Sequence, residues 1–167
     1  MSNLNFAGII ASIVGAILGL GGLIYAIKAW REAEKAKDAA NASKKASEDA
    51  TASINKNFAI SDLSSAIFLI EEIKRLNRMK KWEILVERYG NLIKLLSAIK
   101  AQHPDISNSE KRRIQNAITQ IRLIEEKVDD SLCRGVNIDD QSAEFNKVLS
   151  PIFDDLNEII NRLKTTI

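Results

Sequence analysis

The sequence predicts an all-α protein whose first helix crosses a membrane, and three observations lead there. Only two prolines and seven glycines occur in 167 residues, and five of those glycines fall within the first 22, so the rest of the chain has few turn formers. From Phe6 to Ile27 no residue is charged. Beyond that run, apolar residues recur at helical spacing in four successive segments.

The apolar run is about 33 Å long as a helix at 1.5 Å per residue, enough for a hydrocarbon core of about 30 Å. Tyr25 and Trp30 stand where an interfacial aromatic belt forms, and Lys28, Arg31, Lys35 and Lys37 follow at once, whereas residues 1–5 carry no charged side chain. The basic flank places the N-terminal tail (1–5) outside, the span at 6–30, and the remainder in the cytoplasm. A cleaved signal peptide would carry its positive residues before the apolar stretch, not after it.

One edge of this helix is made of small residues. Gly8, Ser12, Gly15, Gly19, Gly22, Ala26, Ala29, Ala33, Ala36, Ala40, Ser43, Ser47 and Ala50 follow one another at steps of four and three, which is heptad spacing. Helix propensity explains the abundance of Ala but not its register. Small seam residues let helix backbones approach closely in lipid, where no hydrophobic force draws helices together. Ile10, Ile13, Ile17, Leu20, Ile24 and Ile27 lie opposite and suit lipid. The seam therefore predicts a parallel homo-oligomer. A second small stripe, Ala39, Ala42, Ala46 and Ser53, would let each copy touch two neighbours, as a ring requires.

Residues 31–57 read as a polar, Ala-rich helical stalk, ending near Asn55 to Asn57 where the small-residue pattern stops. Residues 58–167 then read as an antiparallel four-helix bundle of sufficient length for its own core. Its first helix carries Ile60, Leu63, Ile67, Ile70 and Ile73 and stops near Arg78. A turn at Met79 to Lys81 precedes the second, with Trp82, Leu85, Tyr89, Leu92, Leu96 and Ile99 inward, ending before His103-Pro104. Ser107 and Glu110 form a capping box for the third, whose face is Ile114, Ile118, Ile121, Ile124 and Val128 and whose stop is Gly135. The fourth starts near Asp139 or Asp140, with Phe145, Val148, Leu149, Ile152, Leu156, Ile159 and Leu163 inward. Pro151 is expected to kink or restart it, with Ser150 as the cap.

Chemistry-bearing residues are few. His103 is the sole histidine, so no histidine pair exists for a metal, and Cys133, the sole cysteine, permits no internal disulfide. No phosphate loop or serine-nucleophile elbow occurs. The formal net charge of +2 does not mark a general nucleic-acid binder. The pairs Glu125-Glu126, Asp129-Asp130 and Asp154-Asp155 read as solvated helix faces. Lys74, Arg75, Arg78, Lys80 and Lys81 gather at a helix C-terminus, where the dipole favours them. Lys111, Arg112 and Arg113 stand in a first turn, where it does not, and are the candidate contacts for an anionic partner such as RNA, a nucleotide messenger or an acidic protein; a salt bridge to Asp105 or Glu110 is the alternative.

A single N-terminal membrane helix followed by a small cytoplasmic helical bundle resembles the membrane accessory protein of type VI-B CRISPR loci, whose soluble part is similar to HEPN domains. The resemblance covers most of the chain and rests on its layout and on the small-residue seam. It implies a pore or channel that depolarises a bacterial inner membrane as an antiviral effector, and as partner an RNA-guided effector nuclease whose antiviral activity depolarisation strengthens. The HEPN ribonuclease motif, an Arg followed after four to six residues by His, is missing: before His103 those places hold Ala98, Ser97 and Leu96, and the nearest preceding arginine is Arg88. His103 is thus a degenerate motif residue without a catalytic role, and the chain reads as a non-enzymatic pore former with no cofactor and no metal. Two other readings are a membrane-tethered scaffold that recruits a cytoplasmic partner, and a HEPN-like domain that binds RNA or a nucleotide messenger.

Overall fold

The computed structural model describes the backbone of residues 2–165 and, within it, all side chains except those of 2–14, 16–21 and 24. The described residues are all-α. They form α1 (Ser2–Arg78), α2 (Trp82–Gln102), α3 (Asn108–Arg134) and α4 (Ser142–Thr165), with a 3-10 turn at Asp139–Gln141. The chain divides into two compact units, Met1–Thr51 and Ala52–Ile167.

In the first unit every described side chain is exposed. Leu23, Tyr25 and Trp30 are 60%, 80% and 68% exposed. Among the described residues no helix is long and apolar enough to cross a membrane; most of the side chains of the expected span at 6–30 lie outside the described residues.

The second unit is an up-down-up-down bundle. Low numbers in each helix meet high numbers in the next. Glu72 and Asp62 of α1 pair with Arg88 of α2 and with His103 just after it. Lys100 of α2 reaches Gln115 of α3, while Gly90 faces Glu125. Arg113 and Lys127 of α3 meet Asp155 and Phe145 of α4, and Lys74 and Asn77 of α1 meet Ser150 and Asn146. One apolar core results, from Ala59, Leu63, Ala66, Ile70 and Ile73 of α1, through Leu85, Leu92, Leu96 and Ile99 of α2, to the inward faces of α3 and α4. Ala59 and Ala66 are fully buried, whereas Ile60 and Ile67 are half-buried and flank them.

Helix ends follow local chemistry. The Ser107 hydroxyl accepts from the Glu110 N–H at 3.3 Å, and the Ser107 N–H donates to Glu110 Oε2 at 2.8 Å, a complete capping box. Gly135 closes α3 at φ 66°, where a side chain would be strained. Lys80, at φ 57°, takes the same backbone region in the turn between α1 and α2. Two expectations are corrected. α1 runs unbroken past Asn55 to Asn57, because a change in which residues are apolar redirects a face without removing a hydrogen bond. α4 continues through Pro151 instead of restarting, with the ring on an exposed position; Ser150 is no cap, since its hydroxyl donates to Asn146 O within the helix at 2.9 Å and accepts from Lys74 Nζ at 2.9 Å.

Candidate functional site

The small-residue seam lies on α1. Gly15, Gly22, Ala26, Ala29, Ala33, Ala36, Ala40, Ser43, Ser47 and Ala50 are all exposed, and the side-chain positions of Gly8, Ser12 and Gly19 fall outside the described residues. A Cβ added to Gly15 or Gly22 would meet nothing within 4 Å. Among the described residues, no contact therefore calls for glycine at either place. Farther along, Lys44 and Glu48 approach to 3.9 Å one turn apart, both well exposed, an arrangement worth little to stability.

The basic triplet at the start of α3 does not act as one group. Arg113 turns to α4, its Nη1 donating to Asp155 Oδ1 at 3.0 Å and to Glu158 Oε2 at 2.8 Å, and Glu158 foremost raises the guanidinium pKa further. Lys111 is half-buried and Arg112 exposed. The carboxylate expected as their alternative partner, Glu110, is taken by Arg162 instead, whose Nε stands 2.6 Å from Oε1 and whose Nη2 donates to the Asp105 carbonyl at 2.9 Å.

His103 follows the last turn of α2, is 7% exposed, and places Nε2 2.8 Å from Asp62 Oδ2 on α1. Its N–H closes the helix on the Ile99 carbonyl at 3.3 Å. Arg88 lies about 22 Å away along α2 at 1.5 Å per residue and pairs with Glu72 at 3.3 Å. The histidine and the arginine of a HEPN-type site would have to converge on one phosphate, and these two do not. His103 instead ties the end of α2 to α1.

Two polar assemblies escaped the sequence reading. Asn77 is fully buried; its Nδ2 donates to Asn146 Oδ1 at 2.9 Å and its Oδ1 accepts from the Tyr89 hydroxyl at 3.1 Å, while Asn146 Nδ2 donates to the Lys74 carbonyl at 3.2 Å. Burial drives the Tyr89 pKa far above its ordinary value, so the phenol stays protonated and donates. At the turn after α1, Asp139 accepts from Trp82 Nε1 and Lys80 Nζ, each at 2.9 Å. The Trp82 bond first, then Lys80, hold its carboxyl below the usual range. An asparagine in an apolar stripe was the only visible signal of the first, and nothing local marked the second.

A groove of about 470 Å³ runs between α3 and α4, with Leu123, Ile124, Phe145, Val148 and Pro151 on its walls and Gln120, Lys127 and Glu144 at its edge. Cys133 is exposed, and among the described residues no three acidic, histidine or cysteine side chains gather as a metal site would need. Compared with known protein families, curated proteins and solved structures, the chain matches none.

Proposed function

We propose that the chain is a single-pass membrane protein that assembles as a parallel homo-oligomer, most simply a ring, and opens a pore in a bacterial inner membrane. The span is 6–30, the stalk 31–57 and the signal-receiving domain 58–167. The observation that carries this reading is the seam: thirteen small residues in one heptad register, of which those described are exposed, with open space around Gly15 and Gly22 among the described residues. A surface kept thin, without an internal reason, suits a neighbour's backbone.

With no charged group between Phe6 and Ile27, the constriction is apolar and gates by wetting and dewetting. A shift in the bundles opens it by changing how the helices pack. The reading assigns no reaction, cofactor or metal. The link to antiviral defence and to an RNA-guided effector nuclease comes from the family resemblance alone. In liposomes the intact protein should release ions or a small dye, and Gly22→Leu should abolish release by holding backbones apart. Vesicles that stay tight with the wild-type chain would leave the second reading, a tethered scaffold whose α3–α4 groove takes a partner. That function survives replacement of the span by an unrelated one; a pore does not.

A further inference from the structure

On α1 within the second unit, the bundle leaves one uncharged edge uncovered. Ile54, Phe58 and Phe68 are 54%, 61% and 70% exposed, and Ser61, Ser64 and Ser65 lie exposed between the two rings. The helical period sets them opposite Ala59, Leu63, Ala66 and Ile70, which fill the core. Two of the three serine hydroxyls are already satisfied: Ser64 Oγ donates to the Ile60 carbonyl at 2.7 Å and Ser65 Oγ to the Ser61 carbonyl at 3.0 Å. Covering this edge would strand neither donor.

The area argues for the occupant. With side chains of about 150–250 Å² each, the three apolar residues offer about 350 Å² per copy, less than half of the roughly 800 Å² each partner gives to a standard interface. That is too little to hold an unrelated protein alone, and it fits the extension of a longer helix-to-helix contact. Counted along the sequence, the seam's own steps of four and three lead from Ala50 to Ile54, Asn57, Ser61, Ser64 and Phe68. We infer that this edge seats a second copy of the chain, aligned in parallel, with the serine gap giving the neighbouring backbone room and the two rings closing over it. The inference rests on the parallel assembly proposed above and adds that the contact extends into the bundle domain.

The test uses the full chain in detergent. Phe58→Glu with Phe68→Glu alters two exposed positions, so helix content and Tm should hold while the protein concentration at which the assembly half-dissociates rises at least tenfold; Phe→Leu at both should retain assembly. Ser61→Cys in a Cys133→Ser background should give a covalent dimer with a short bismaleimide, whereas Gln115→Cys on α3 in the same background should not. A wild-type oligomer whose dissociation the two glutamates leave unchanged overturns the inference and spares the seam. If the glutamates disturb the fold, absence of the Ser61→Cys covalent dimer overturns it instead. Loss of a different bound protein with assembly intact assigns the edge elsewhere and also overturns it. A wild-type chain that is single-copy throughout sinks this inference and the parallel assembly together.

Discussion

Arg162 of α4 grips Glu110 of α3, with Nε 2.6 Å from Oε1 and Nη2 2.9 Å from Oε2, while the same carboxylate completes the capping box with Ser107. Burial alone would push the Glu110 carboxyl up; the bonds from Arg162 and Ser107 outweigh it and hold the carboxyl below its ordinary 4.5. A lowered folded-state pKa means the unfolded chain binds the proton more readily, so this stability is present above the unfolded value and lost as pH falls through the folded one. Glu110→Gln should cost about 2 kcal/mol at pH 7 by weakening the cap and the charged bonds. The gap to wild type should narrow below pH 4.5. Urea denaturation at pH 7 and pH 3 reads both; an equal gap at the two pH values contradicts the assignment.

Gly90 and Glu125 crowd each other between α2 and α3. A Cβ at Gly90 would stand 3.0 Å from Glu125 Oε1, the tip of a half-buried, flexible side chain. Burial raises the Glu125 pKa, so its charge is disfavoured in the folded protein and destabilises it above the unfolded pKa. Glu125→Gln should therefore stabilise at pH 7, by less than about 1 kcal/mol given its partial exposure. Gly90→Ala should add about 0.5–1 kcal/mol from helix propensity as the carboxylate swings aside. Thermal melts of both single variants and the double should show non-additivity, because the two changes act on one atom's surroundings.

The Asn77, Tyr89 and Asn146 triad should be the costliest polar feature to break. Asn77→Ala leaves the buried Tyr89 hydroxyl and an Asn146 oxygen without their partner, at about 2–3 kcal/mol. Tyr89→Phe removes a donor and should cost about 1 kcal/mol. Equilibrium denaturation ranks them, and a Tyr89→Phe loss as large as that of Asn77→Ala would show that the network is not hinged on the asparagine.

What was legible in the sequence was local. Ser107 with Glu110, Gly135 after α3, and the inward residues of α2, α3 and α4 follow from spacing within one helix; these inward residues are buried except Trp82 and Val148, which are half-buried against the core. The expected stop near Asn55 misread a change of composition as a change of backbone, and Pro151 showed that a lost helix hydrogen bond is tolerated on an exposed face. Partner choice between helices was illegible. Whether Glu110 meets Arg113 or Arg162, and whether Asp139 reaches Trp82, depends on which helices lie side by side, and no periodicity encodes that.

Arg112 and Arg113 should separate in any assay of an anionic partner. Arg113→Ala breaks two part-exposed ion pairs and should lower stability by about 1 kcal/mol, whereas Arg112→Ala should leave it unchanged. Binding of a labelled RNA to the intact protein should fall for Arg112→Ala and Lys111→Ala if the start of α3 meets a phosphate backbone, with a reduced dependence on salt. RNA affinity that depends on Arg113 but not on Arg112 would point to a folding effect and not to contact.

Counting subunits of the intact chain in lipid nanodiscs, by native mass spectrometry, addresses the central claim most directly. Several copies per disc are expected for the wild-type protein and a shift to single copies for Ala33→Leu, since Ala33 stands on the exposed seam. A wild-type protein that sits alone in each disc, or an Ala33→Leu variant with an unchanged copy number, would contradict it.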